Sequence, residues 1–154
     1  MIELNSKIKN ALIKIDFVKK YEELSGMYTA EKTPSDKRLV NIDGEEVMEM
    51  LQKLGYSSTF VPKEKFYKTG QEQVGPYTLC VHYILECGMV DVVWVVKEGD
   101  ELLLGAPWGT YSKRILENGY RIKKPVFGDY DQLEEILEIT LKMYEEFKNA
   151  LLEE

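Results

Sequence analysis

Residues 77–97 read YTLCVHYILECGMVDVVWVVK, and the parity of their apolar positions decides the fold. Up to Leu85 the large apolar residues fall on odd numbers: Tyr77, Leu79, Val81, Tyr83 and Leu85. Thr78, Cys80, His82, Ile84 and Glu86 make a mixed set between them. Past Gly88 the apolar set moves to even numbers, Val90, Val92, Trp94 and Val96. Successive side chains of a strand point to opposite faces, so each run has one greasy side. Two such runs around a glycine predict an antiparallel hairpin. A turn on Cys87-Gly88 and one on Gly88-Met89 both preserve parity, and either leaves the two greasy sides on one core face.

Further strands are expected on both sides of this hairpin. KEGDE (97–101) has the form of a second turn, with ELLLGA returning as a third strand and YRIKKPVF (120–127) as a last one. Upstream, SSTFV and KFYKTG suit strands separated by Pro62. The flanks are helical. Leu4, Ile8, Ala11, Leu12, Ile15 and Val18 recur at helical spacing behind Asn5-Ser6, predicting one helix to about Leu24 that stops at Gly26. Asp43 with Glu46 has capping-box spacing ahead of Val47, Met48, Leu51 and Leu54. Asp129 with Gln132 caps a final long stripe of Leu133, Ile136, Leu137, Thr140, Leu141, Tyr144, Phe147 and Leu151. Helix, then strands, then helix predicts one α+β domain over 1–154, with about 4–6 antiparallel strands between N-terminal helices and a long acidic C-terminal amphipathic helix.

The 154 residues carry a net charge of −7, and its distribution is uneven. Residues 129–154 hold nine acids against Lys142 and Lys148, the whole surplus, so residues 1–128 balance at 18 acids and 18 bases. Such an acidic end argues against a nucleic-acid partner, which needs a basic surface. It suits either solubility or a protein partner with a basic surface. MIELNSKIKN lacks the apolar core of a secretion signal, and no apolar run approaches the roughly 20 residues that span a bilayer. A cytoplasmic protein without a membrane partner is expected. Cys80 and Cys87 have opposite parity, which disfavours a disulfide between them. Lysine outnumbers arginine 17 to three, a bias that suits an AT-rich bacterial or phage genome.

Chemistry-bearing patterns are sparse. His82 is the only histidine. With Cys80 it could give two metal ligands, but a zinc site takes three or four and no CxxC or HxxxH completes it. Residues two apart on a strand are separated by about 7 Å of rise, which disfavours proton transfer between Cys80 and His82. Asp91 or Glu86 across the hairpin could pair with His82 instead. The loop GAPWGTYSKR (105–114) has neither the Gly-Lys of a P-loop nor a G-x-G-x-x-G fingerprint. No cofactor is implied. Its Trp108, Tyr111 and Arg114 are residue types that anchor protein interfaces, although Trp108 could equally tuck into the core at a strand-to-helix corner. Lys113, Arg114, Arg121, Lys123 and Lys124 cluster beyond it, and with Trp108 and Tyr111 they hint weakly at single-strand stacking.

The layout resembles, at the level of class, toxin-neutralising immunity proteins and acidic dimeric secretion chaperones. The leading expectation is a non-enzymatic protein-binding protein, of the immunity or phage and defence-inhibitor kind, acting by occlusion. Trp108, Tyr111 and Arg114 would anchor the partner while Glu134, Glu138 and Glu145 of the last helix steer it. The alternatives are a homodimeric chaperone for an extended client, and a small-molecule-binding protein or enzyme with a sheet–helix pocket near His82 and Tyr83.

Overall fold

Cys87 and Gly88 both take positive φ, 55° and 71°, and form the two-residue turn of the central hairpin in a computed structural model that describes residues 4–116 and 121–154. This turn twists the same way as the strands it joins. It sets Glu86 opposite Met89 and zips ten residue pairs down to Tyr77 opposite Glu98. Strands β4 (Tyr77–Glu86) and β5 (Met89–Glu98) are the middle of an antiparallel sheet of order β1-β2-β4-β5-β6. The others are β1 (Ser58–Val61), β2 (Phe66–Thr69), β3 (Glu72–Val74) and β6 (Glu101–Leu104). β2 and β3 share one edge of β4, β2 opposite His82 and Tyr83, β3 opposite Tyr77 to Leu79. Between them the buried Thr69 hydroxyl accepts the Val81 N–H at 2.9 Å, supplying the ladder bond that the jog in the chain interrupts.

The odd-then-even face is the core. Tyr77, Leu79, Val81, Tyr83, Leu85, Val90, Val92, Trp94 and Val96 are all buried. Across them lies α5 (Tyr130–Leu152), whose Asp129 side chain accepts the Gln132 N–H while Gln132 accepts that of Gly128. Its stripe from Leu133 to Leu151 is buried, and Phe147 stacks on Trp94 at 4.7 Å. Thr140 donates its hydroxyl proton to the Leu137 carbonyl, so the buried Tyr83 hydroxyl donates to Thr140, at 2.7 Å. α3 (Gly44–Lys53) starts at Asp43, whose side chain accepts the Glu45 N–H, and ends before Gly55.

The expected single N-terminal helix is two, α1 (Ser6–Lys14) and α2 (Phe17–Met27), separated at Asp16 by a left-handed residue of φ 56°. Helix geometry explains the break. Phe17, Tyr21 and Leu24, buried in α2, each follow a buried residue of the preceding segment (Ile8, Leu12, Ile15) by nine positions. At 3.6 residues per turn that offset is about half a turn, so one straight helix would point the two stripes in opposite directions. The kink turns both inward, and Phe17 reaches Trp94, Trp108 and Tyr111.

After β6, Pro107 bridges to Val93 and α4 (Trp108–Leu116) starts at Trp108. The expected last strand is a stub. Val126 bridges Met89, Val90 donates its N–H to the Pro125 carbonyl, and Phe127 donates to Gly88, so 125–127 cover the β5 edge without a further ladder. The turn expected at ENGY (117–120) lies outside the described residues. No helix among the described residues is long and apolar enough to cross a membrane.

Candidate functional site

Trp108 and Tyr111 are core residues, 1% and 0% exposed, and cannot anchor a partner as the loop reading expects. They sit on one stripe of α4, and that stripe is apolar enough to pack inward. Trp108 lies edge-on to Phe17, Tyr21 and Trp94 at about 5 Å, and Tyr111 packs 5.1 Å from Phe17. Arg114, on the same helix, is half-exposed.

The acids of α5 are mostly engaged inside the molecule. Glu134 pairs with Lys53 of α3, Glu146 with Lys20 of α2, and Glu153 with Lys14 of α1. Glu135 accepts the Tyr28 hydroxyl at 2.7 Å. Glu145 accepts from Tyr56 and Lys148. Burial pushes its carboxyl up, but the hydrogen bonds from Lys148 and Tyr56 and the Lys148 charge outweigh that and hold it below the usual carboxylate value. Of the three acids named for steering, Glu134 and Glu145 serve the fold, while Glu138 is exposed with no ion-pair partner among the described residues.

His82 stacks on Phe66 at 4.2 Å, on the sheet face away from α5. Its Nε2 is 3.7 Å from the Cys80 Sγ, closer than strand rise alone implies, because the two side chains lean together. The pair is not primed for thiolate chemistry. Burial raises the Cys80 thiol against the pull of Lys68 and Lys97, and burial together with the Lys68 charge lowers His82, with Glu64 opposing. Both are held neutral, whereas a reactive thiolate needs a stabilising positive charge beside it. Of the two acids expected near His82, Asp91 pairs across the hairpin with Ile84 and forms its ion pair with Lys124, and Glu86 pairs with Met89 beside the turn. Tyr83 faces the core, on the other side of the sheet.

The large cleft lies elsewhere. It measures about 1230 Å³ between α2 and its following loop, the start of β5, α4, and residues 121–126. Among the described residues, Lys9, Arg38, Lys113, Arg114, Arg121, Lys123 and Lys124 line it against Glu31 and Asp91, seven cations to two carboxylates. The whole sequence holds 20 bases against 27 acids. All three arginines of the sequence are in this one cleft, although lysines outnumber them 17 to three. None of the three guanidinium groups meets a carboxylate within 4 Å among the described residues. Asp91, 14% exposed, is neutralised by Lys124 at 3.4 Å. On the wall, Tyr21 is kept protonated: burial and the Asp91 charge raise it more than Arg121 lowers it.

Five of these cations were visible in the sequence as the run from Lys113 to Lys124. Lys9 and Arg38 arrive through topology, and no local signal marks them. The carboxylate-rich groupings needed for a metal are missing, since among the described residues no three of His, Cys, Asp and Glu converge. No family model matches the chain, and no curated protein or solved structure matches it either.

Proposed function

We propose that the protein is a non-enzymatic protein-binding protein that neutralises its partner by occlusion, and that it holds the partner in the cationic cleft. One observation carries this reading: three arginines that meet no carboxylate among the described residues converge on one cleft of an otherwise acidic chain. Arginine presents a planar fork of donors that matches a carboxylate or phosphate with two parallel hydrogen bonds, and unpaired clusters of it mark recognition surfaces. The sign of the contact is opposite to that expected from the acidic helix, so the complementary patch on the partner is acidic. At about 1230 Å³ the cleft exceeds the roughly 300–1,000 Å³ typical of sites for one small molecule. Burial of Trp108 and Tyr111 removes the stacking platform that a single-stranded nucleic acid would use.

The test is capture from a lysate by the parent protein and by an Arg114→Glu/Arg121→Glu double variant of equal thermal stability. The expected result is a stoichiometric protein bound by the parent, released by salt, and absent from the variant. No stoichiometric partner on the parent at low or high salt, or equal capture by both proteins, refutes the proposal.

A further inference from the structure

We infer that the cleft recognises an acidic segment interspersed with aliphatic side chains, with Arg38 as its preset carboxylate anchor; this deepens the reading above and rests on it. Three features lead there.

The first is the mixture of the lining. The half-exposed Met89, Pro107 and Ile115 interleave with the cations. A purely electrostatic groove for a phosphate backbone has no use for such surface, whereas aliphatic side chains of a peptide bury against it at about 25 cal/mol per Å². The second is that the described lining offers no exposed aromatic ring. Tyr21 is the only aromatic among the described lining residues, and it is 2% exposed, so the described walls give bases no platform to stack on.

The third feature is the placement of Arg38. Its Nε donates to the Thr33 carbonyl at 3.2 Å, and its two Nη groups have no protein partner among the described residues. Its stem lies against the hairpin turn at Gly88, where an added Cβ would stand 2.5 Å from the Arg38 Cβ. Gly88 therefore meets two demands, a φ of 71° and the close approach of this side chain. The neighbouring Leu39 N–H is fixed to the Phe127 carbonyl. A guanidinium held at its stem and free at its tip loses little entropy on binding a carboxylate. Of the two carboxylates among the described lining residues, Asp91 on β5 is already paired with Lys124.

The experiment selects short random displayed peptides on the full-length protein, then measures synthetic versions by fluorescence anisotropy beside an oligothymidylate and inorganic tripolyphosphate. The expected outcome is a consensus rich in Asp or Glu with Leu, Ile or Val, weakened by salt. Arg38→Gln should reduce affinity about tenfold, the loss of one good charge-assisted pair, and Arg38→Lys should not restore it. Gly88→Ala should weaken binding in the same direction, and Arg38→Gln decides the question if that variant does not fold. A basic or aromatic consensus overturns the peptide inference, as does binding of the oligonucleotide or polyphosphate in preference to every peptide; these last results leave the cationic cleft standing. A parent protein that binds no anion of any kind overturns both readings.

Discussion

Replacing Lys148 with methionine removes one ammonium while keeping an unbranched stem, and it tests whether the acidic helix is built for the fold or for a partner. The Lys148 side chain is 12% exposed, and its Nζ lies 2.6 Å from Glu72 of β3 and 2.7 Å from Glu145 of its own helix. It also sits 4.7 Å above the Tyr144 ring. The two carboxylates are 33% and 53% exposed and would rehydrate, so each pair contributes well under the several kcal/mol of a buried one. Two screened pairs and one cation–π contact together amount to about 2 kcal/mol. In a domain of this size that lowers Tm by about 4–8 °C, readable by circular dichroism at neutral pH. The effect has a pH signature. Because the Glu145 carboxyl is depressed in the folded state, the unfolded chain binds more protons just below the ordinary carboxylate value. Its contribution is therefore complete above that value and disappears as pH falls through the folded-state value. The stability gap between parent and Lys148→Met should close in acid. A variant melting within about 1 °C of the parent at neutral pH, as expected for an ordinary surface change, or a gap that widens in acid, refutes the structural role of this network.

Further outcomes follow from individual residues. Thr69→Val strips the hydroxyl that accepts the Val81 N–H and should cost about 1–3 kcal/mol in urea unfolding, with Thr69→Ser retaining most of the stability. Asp16→Gly relieves a left-handed residue and should leave stability unchanged or raise it by up to about 1 kcal/mol, whereas Asp16→Val should lower Tm. Trp108→Ala should cost about 3–5 kcal/mol and lose near-ultraviolet signal with any loss of partner binding, while Arg114→Gln should change stability by no more than about 0.5 kcal/mol. Alkylation followed by mass spectrometry should modify the exposed Cys87 first, and the buried Cys80, whose thiol burial raises, only on unfolding.

The hairpin, α3 and α5 were legible because each carries a strong period and its own punctuation. Tyr77 to Leu85 and Val90 to Val96 leave one possible core face; Asp129 caps through Gln132 as its spacing predicts, and Asp43 starts its helix as expected but through the Glu45 N–H rather than Glu46. The break at Asp16 was hidden because Ile8, Leu12 and Ile15 alone satisfy a continuous helix. The nine-residue offset to Phe17, Tyr21 and Leu24 was present in the sequence and becomes decisive only once both stripes must face one core. β3 has three residues, too few for a period. At Trp108 and Tyr111, residue type pointed to an interface, but type does not distinguish an exposed anchor from a buried one; their shared stripe on α4 does. The Cys80–His82 contact escaped a rise argument because that argument measures backbone separation, and long side chains close about half of it.

Charge pairing separates structural from available charge more sharply than charge counting does. Segment totals pointed to the C-terminal segment around α5 as the electrostatically active element, since residues 129–154 account for the net −7. Yet Glu134, Glu135, Glu145, Glu146 and Glu153 each meet a cation or phenol on α1, α2, α3, the neighbouring Tyr28 and Tyr56, or α5 itself. These contacts join the long helix to the elements around it. Residues 1–128, neutral in sum, conceal a local surplus of five positive charges among the described lining residues that no segment total could display, because Lys9, Arg38, Lys113, Arg114, Arg121, Lys123 and Lys124 meet only in three dimensions. A neutral average over a folded chain is compatible with strong local fields when the opposite charges are pulled to another surface. Here the last helix draws lysines of α1, α2 and α3 to its own acids, whereas the arginines meet no carboxylate among the described residues, which is what the proposed contact with a partner relies on.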